Sequence, residues 1–129
     1  MNKSLIGITV GLMGTSSAAE PVYNCNVLDV AIVGDQGLIS SSDYTELVEN
    51  NELAFTFDVS TGQYTQGSIQ WHFDIVQFGS SEDSLKAIRQ FPGLATVVLQ
   101  YLSIETFSDN RFLFVWDSEV RSGFCYTND

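Results

Sequence analysis

His72 and Asp74 are the pair of residues in this chain whose types and spacing best suit proton transfer or metal binding. Two positions apart in a predicted strand, their side chains share one face and can exchange a proton or hold one side of a metal ion. A metal or acid–base centre needs further ligands or a nucleophile, and no motif in the sequence supplies them. We interpret the two residues as a polar pair on a strand surface. The sequence predicts no catalytic, cofactor-binding or metal-binding residue.

Carboxylates are the most abundant reactive groups, with sixteen Asp and Glu against five Lys and Arg and a net charge of −11. Glu82-Asp83 and Asp109-Asn110 offer oxygen ligands for calcium, but neither lies in an alternating acidic loop with a central glycine. Two distant carboxylates could also converge as the acid and base of a glycoside hydrolase, although no pair is singled out by its spacing. A hydrolase with dispersed carboxylates therefore stays open as an alternative.

Cys25 and Cys125 are the two cysteines of the chain, and we predict that they form a disulfide. An even count in an exported chain is typical of a structural bridge. Two thiolates and one histidine are too few for a structural zinc site, and there is no Cys-x-x-Cys motif. The bridge would close a loop of about 100 residues and hold the first strand against the last. Free or intermolecular thiols are the alternative.

Residues 1–19 carry the pattern of a secretory signal peptide: a lysine, the apolar run Leu5–Met13, and small residues ending at Ala19. About nine apolar residues fall short of the roughly 20 that span a bilayer, so we expect cleavage after Ala19 rather than a retained anchor helix. The tripeptide before Cys25 differs from a lipoprotein signal. The sequence thus predicts a secreted or periplasmic protein, not lipid-anchored, with one domain over 20–129.

The elements that must position these residues are predicted to be mostly strands, separated by turn signals. Six segments alternate apolar with polar residues or are rich in β-branched and aromatic types. They are Val22–Val33, Leu53–Val59, Ser68–Phe78, Leu94–Phe107, Phe112–Trp116 and Arg121–Tyr126. Short strands at this spacing are typical of a small antiparallel sandwich or barrel. We therefore predict an all-β domain, or a β-rich domain with one short helix, whose terminal strands are joined by the disulfide.

Two segments have helical features. Ser80 followed by Glu82 and Asp83 is typical of a helix N-cap with acids in the first turn, so we predict a short helix over Ser80–Gln90, with a strand as the alternative. The polar cluster Ser40–Asp43 is consistent with two alternatives, the end of a loop or the cap of a short helix over Tyr44–Val48.

Alternation along the strands assigns the predicted core, and we expect aromatic side chains to fill it. Its members are Leu28, Val30, Ile32, Phe55, Phe57, Trp71, Phe73, Ile75, Val97, Leu99, Phe112 and Phe114. The alternative is a barrel lined by aromatic residues that carries a small apolar ligand.

Charge restricts the partners. Loss of residues 1–19 would leave four basic against sixteen acidic residues, a side-chain charge of −12. Nucleic acids and anionic membranes attract clustered Lys and Arg, so neither is expected as a partner. A charge of this size is explained by solubility, because it keeps small secreted domains apart, or by attraction to a basic protein, which is the partner we expect of a binding module. The sequence therefore favours a non-enzymatic exported binding module without a cofactor over the carrier and the hydrolase.

Tyr23-Asn24-Cys25, the late second cysteine, the export signal and the acidity resemble features of the small periplasmic inhibitors of lysozyme. The segment Ser60–Tyr64 loosely matches the Ser-Gly turn, with an aromatic and a basic residue beyond it, through which those inhibitors bind. The resemblance covers a tripeptide and the composition. It implies an inhibitor-like module that binds a basic enzyme.

Overall fold

Antiparallel strands wrap into one barrel-like sheet in the computed structural model, which describes residues 20–92 and 97–127. The strands are β1 (Val22–Gly34), β2 (Gly37–Ser40), β3 (Phe55–Asp58), β4 (Gln63–Gln66), β5 (Ile69–His72), β6 (Asp74–Gln77), β7 (Leu85–Pro92), β8 (Val97–Ile104), β9 (Arg111–Trp116) and β10 (Glu119–Thr127). A 3₁₀ turn (Ser42–Tyr44) and helix α1 (Thr45–Glu49) lie between β2 and β3. The predicted leader, residues 1–19, lies outside the described residues.

The two outermost strands of the sheet meet at Phe73. The strand order is β5-β4-β3-β1-β10-β9-β8-β7-β6, with β2 beside the end of β1. The two outermost strands are consecutive in the chain, so the predicted single strand Ser68–Phe78 is two strands that meet at Phe73. The Phe73 N–H donates to the Gly62 carbonyl at 2.7 Å. The two backbones are so close here that a Cβ at residue 62 would overlap the Phe73 carbonyl oxygen. The predicted all-β fold is confirmed, as a nearly closed barrel.

Aromatic side chains fill the interior. The rings of Phe55 and Tyr64 stack with centroids 4.6 Å apart, and Phe112 meets Phe55 edge-on at 5.1 Å. Phe57 packs edge-on against Phe73 at 6.0 Å. Such offset and edge-to-face contacts are the favoured arrangements of aromatic pairs. Six of the predicted core residues are buried: Val30, Phe55, Phe57, Phe73, Phe112 and Phe114.

The predicted core is wrong at Leu28 and Leu99, whose side chains are exposed. In β8 the inward residues are Gln100, Leu102 and Ile104, opposite to the predicted parity. The polar but fully buried Gln100 caused this error: its Oε1 accepts a hydrogen bond from Arg89 at 3.0 Å, whereas its Nε2 has no hydrogen-bond partner among the described residues.

Three further members of the predicted core, Ile32, Trp71 and Ile75, are only half-buried. Trp71 nevertheless packs on the interior, stacked on Tyr64 with ring centroids 5.2 Å apart. The side chain of Val97 lies outside the described part of the chain.

The helix predicted over Ser80–Gln90 is wrong, and the strand alternative is confirmed. Ser80 Oγ accepts the backbone N–H groups of Glu82 and Asp83 at 3.1 and 3.0 Å, as an N-cap would, but a turn follows. Leu85–Pro92 then pairs with β8 along its whole length and with β6 over its first half. Sheet pairing on both sides outweighs the weak preference of a short segment for helix. Of the two alternatives for Tyr44–Val48, a loop or a short helix, the structure has the helix, as α1.

The Cys25–Cys125 disulfide is confirmed, with an S–S distance of 2.03 Å. The two cysteines are direct cross-strand partners in β1 and β10, and both are buried. The bridge therefore joins the strands near the two termini, as predicted.

Within residues 20–92 and 97–127, no helix is long and apolar enough to cross a membrane.

Candidate functional site

A bulge in β1 turns two consecutive side chains outward. Val27 pairs with Gly123, and Asp29 pairs with Ser122, so Leu28 is an extra residue without a partner in β10. Before the bulge the odd-numbered residues, such as Val27, lie in the core. After the bulge it is an even-numbered residue, Val30, that is buried. Bulges commonly re-aim side chains in this way. Leu28, at 59% exposed, and Asp29 therefore both lie on the outer surface.

A row of cross-strand partners crosses this outer surface, and its three middle members form the floor of a groove. Running from β7 to β1, the row consists of Lys86, Ser103, Leu113, Ser122 and Asp29. Serine side chains flank Leu113 on both neighbouring strands. Because a serine side chain is much shorter than the aromatic and leucine side chains nearby, the sheet surface is depressed at Ser103 and Ser122.

Larger side chains form the walls of this outer groove. Tyr101 lies on one side of the row and Phe124 on the other, and Leu28 stands at the β1 end. The groove is open, has a volume of about 520 Å³, and is mostly apolar. Leu28, Leu113 and Phe124 are all substantially exposed. A rimmed apolar patch on a small protein is typical of an interaction surface.

The outer groove continues into a second depression, which we call the α1 cleft. This cleft has a volume of about 280 Å³ and lies between β1 and α1. Leu28 lines both depressions, and Asp29, Tyr44, Val48 and Glu49 line the cleft. The hydroxyl of Ser40 donates to Asp29 Oδ2 at 3.2 Å and so restrains that carboxylate.

Negative charge is concentrated at the α1 end of this surface. Four acids and no base occur between Asp43 and Glu52, and all four acidic side chains are exposed. Within the groove lining itself, the Arg111 guanidinium lies 3.2 Å from the Asp109 carboxylate, which offsets its charge, and Glu105 adds one further acid. The surface potential therefore favours a cation near α1.

A polar cluster inside the barrel mouth holds α1 in place. The Arg121 Nε lies 2.6 Å from Glu119 Oε2, and both side chains are mostly buried. A hydrogen bond to Glu119 raises the pKa of Tyr44, the residue that precedes α1. Arg121 also lies 5.9 Å from the centre of the Tyr44 ring. Together with Leu47 and Val48, which pack against the core, these contacts fix one wall of the α1 cleft.

His72 and Asp74 lie together on one face, 3.6 Å apart between Nε2 and Oδ1. Their side chains are 69% and 80% exposed, and they stand at the junction of β5 and β6, outside the outer groove. Among the described residues, no group of three or more His, Cys, Asp and Glu side chains is placed to hold a metal. The geometry of this pair is that of a solvated surface contact.

The loop that matches the binding turn of the lysozyme inhibitors is arranged differently from what the resemblance implies. Ser60 donates to Asp58 Oδ1 through both its N–H and its hydroxyl, at 2.9 and 2.6 Å. Tyr64, the aromatic residue of the match, is only 1% exposed and packs in the barrel core. Its side chain is therefore not available to a partner.

Sequence reasoning missed most of the outer groove. Leu113 lies in the run Phe112–Trp116, where apolar residues occupy both faces of the strand. That continuity, with Ser103 and Ser122 in the adjoining strands, was the available signal.

Comparison of the chain with protein-family models, with curated proteins and with solved structures finds no match.

Proposed function

We propose that this protein is a non-enzymatic, exported binding module that holds a basic protein partner against its outer groove and the acidic surface of α1. The single observation that carries the proposal is the open apolar groove over β8, β9, β10 and β1. Its exposed side chains belong to strands that are paired on both sides, so the binding surface is rigid before the partner arrives.

Two features support export. Residues 1–19 have the order of a signal peptide that is cleaved after Ala19. The Cys25–Cys125 disulfide fits an oxidising compartment, because cytosolic thiols are kept reduced. The mature protein is then secreted or periplasmic.

The packing of the barrel favours external binding over the carriage of an apolar ligand. The centre of the barrel is occupied by Phe55, Phe57, Tyr64, Phe73 and Phe114, whose ring centroids are 4.6–6.3 Å apart where they touch. A ligand there would have to displace several of these rings. The outer groove needs no such rearrangement.

The charge of the chain supports a basic partner. The net charge is −11, and Asp29 and Glu49 line the cleft that shares Leu28 with the groove. Attraction between such surfaces raises the association rate and weakens as salt increases.

Capture of partners from the native compartment at low and high salt tests this proposal. The oxidised protein should retain a basic protein at low salt and lose most of it at about 1 M salt. Leu113→Asn should abolish capture, because it places an amide on the floor of the groove. Val76→Asn is the matched control, since Val76 is exposed on β6 away from the groove. The proposal would be contradicted by capture of an acidic partner, by equal retention of the partner at low and high salt, or by equal capture with Leu113→Asn and the unchanged protein.

A further inference from the structure

We infer that the outer groove and the α1 cleft together recognise a polyproline-II segment with an apolar residue at position i and a Lys or Arg at position i+3. This inference rests on the proposed function and names the part of the partner that is bound. It follows from the paired backbone of the groove, the spacing of Leu113 and Asp29, and the charge of the cleft.

The backbone of the groove excludes recognition by strand addition there. β8, β9 and β10 each pair with a strand on both sides, so their N–H and C=O groups are used within the sheet. A bound segment can contact only side chains. A polyproline-II segment suits such a surface because its backbone makes no internal hydrogen bonds and stays solvated. Grooves lined by aromatic residues, as Tyr101 and Phe124 line this one, bind segments of that kind.

The spacing of the two anchor points matches the repeat of that conformation. Leu113 pairs with Ser122, and Ser122 pairs with Asp29, so the two anchors lie two strands apart. Two strand spacings are about 9.5 Å. A polyproline-II chain advances about 9.3 Å in three residues and returns to the same face. An extended β chain instead brings side chains to one face at about 6.7 and 13.4 Å.

The α1 cleft has the composition that accommodates a long basic side chain. Leu28, Tyr44 and Val48 offer apolar surface to the methylene stem, and the carboxylates of Asp29 and Glu49 stand at the cleft to meet the charged end. At the other end of the row, Lys86 repels a second basic residue. The segment is therefore bound in one direction, with its basic residue toward β1.

Labelled peptides test the inference by fluorescence anisotropy on the oxidised full-length secreted protein. The probe contains Leu-Pro-Pro-Lys between flanking glycine and serine residues. Matched peptides replace Lys by Glu, or shorten the spacing to Leu-Pro-Lys. We expect the probe to bind about threefold to tenfold more tightly than either matched peptide. The Glu peptide lacks the exposed ion pair, and the shortened peptide lacks the spacing that fits the two anchor points. Equal binding of the three peptides would overturn the inference.

Substitutions separate failure of this inference from failure of the proposed function. Asp29→Asn with Glu49→Gln should remove the preference for Lys over Glu, and Asp74→Asn, an exposed acid elsewhere, should leave it intact. If Leu113→Asn abolishes partner capture but the Asp29 and Glu49 variants do not alter the preference, the groove binds a partner and the basic anchor is wrong. If Leu113→Asn captures normally, the proposed function itself fails. A dimer that Leu113→Asn dissociates in sedimentation would assign the groove to a second copy and overturn the inference.

Discussion

Leu28 and Asp29 are consecutive residues of β1, and both side chains point to the same outer surface. In a regular strand they would lie on opposite faces, because side chains alternate. The extra residue of the bulge removes that alternation at one position. One irregularity therefore supplies both the apolar end of the outer groove and the carboxylate of the α1 cleft.

The bulge depends on Gly123, the partner of Val27. A Cβ at this position would overlap the Asn26 carbonyl oxygen and lie 2.9 Å from the Phe112 ring. Gly123→Ala should therefore cost about 1–3 kcal/mol or more of unfolding free energy, measured by urea denaturation. Ser122→Ala, on the groove side of the same strand, should change stability by less than about 0.5 kcal/mol. Equal stability of the two variants would show that β1 and β10 are not closely apposed at the bulge.

Truncation of a side chain should lower the free energy of unfolding much more in the barrel core than in the groove. Phe57 is fully buried against Phe73, so Phe57→Ala should cost about 3–5 kcal/mol. Leu113 is exposed, and Leu113→Ala should cost less than about 0.5 kcal/mol while weakening partner binding. Thermal and urea unfolding of both variants measures the difference. A large loss of stability in Leu113→Ala would make the groove part of the core.

The sequence predicted the fold class and the disulfide because both depend on strong local signals. Period-2 alternation around Phe55 and Phe57 indicates a strand with one buried face, and two cysteines have only one way to pair within one chain. These features need no knowledge of which strands are neighbours.

The groove could not be predicted because it depends on register. The serines flanking Leu113 come from two other strands, and only the pairing of β8 and β10 with β9 brings them together. Leu28 was assigned to the core because the bulge has no signature in β1 alone. Ser80–Gln90 was assigned to a helix because its Ser80 turn imitates an N-cap, and because the sequence of β7 alone does not show that β6 and β8 pair with it on both sides.

Removing the disulfide should lower stability substantially. The bridge spans a sequence separation of 100 residues. The loop-entropy model gives an upper value of about 4.7 kcal/mol for such a loop, and removal of natural bridges from small domains costs about 2–5 kcal/mol. Replacement of both Cys25 and Cys125 by Ser should therefore lower Tm by about 10 °C or more. Titration of the unfolded, unreduced protein should find no thiol, and two reactive thiols would contradict the bridge.

Alkaline pH should unfold the protein more readily than neutral pH. Burial raises the pKa of Tyr64 well above its usual range, and burial followed by the nearby Glu20 raises that of Tyr23. A raised folded-state pKa means that the native state retains a proton that the unfolded state releases. Stability is therefore full below about pH 10 and falls above it, by at most about 1.4 kcal/mol per pH unit for each tyrosine.

Tyr64→Phe tests the origin of this alkaline loss. The variant gives up the hydrogen bond from Tyr64 to Gln66 Oε1 at 2.7 Å, so it should be less stable at neutral pH. Its stability should nevertheless fall less steeply above pH 10, as measured by urea denaturation across the pH range. Tyr126→Phe, at an exposed position, is the control. An unchanged slope in Tyr64→Phe would assign the alkaline loss to other groups.

Site-specific photo-crosslinking in the producing cell tests the outer groove most directly. A benzophenone amino acid replaces Leu113 in one strain and Val76 in another, and both positions are exposed on the barrel. We expect one discrete adduct with a basic protein from position 113, and loss of that adduct at high salt in isolated extracts. Position 76 should give no such adduct. The same adduct from both positions, or none from position 113 when the protein is folded and oxidised, would contradict a partner bound in the groove.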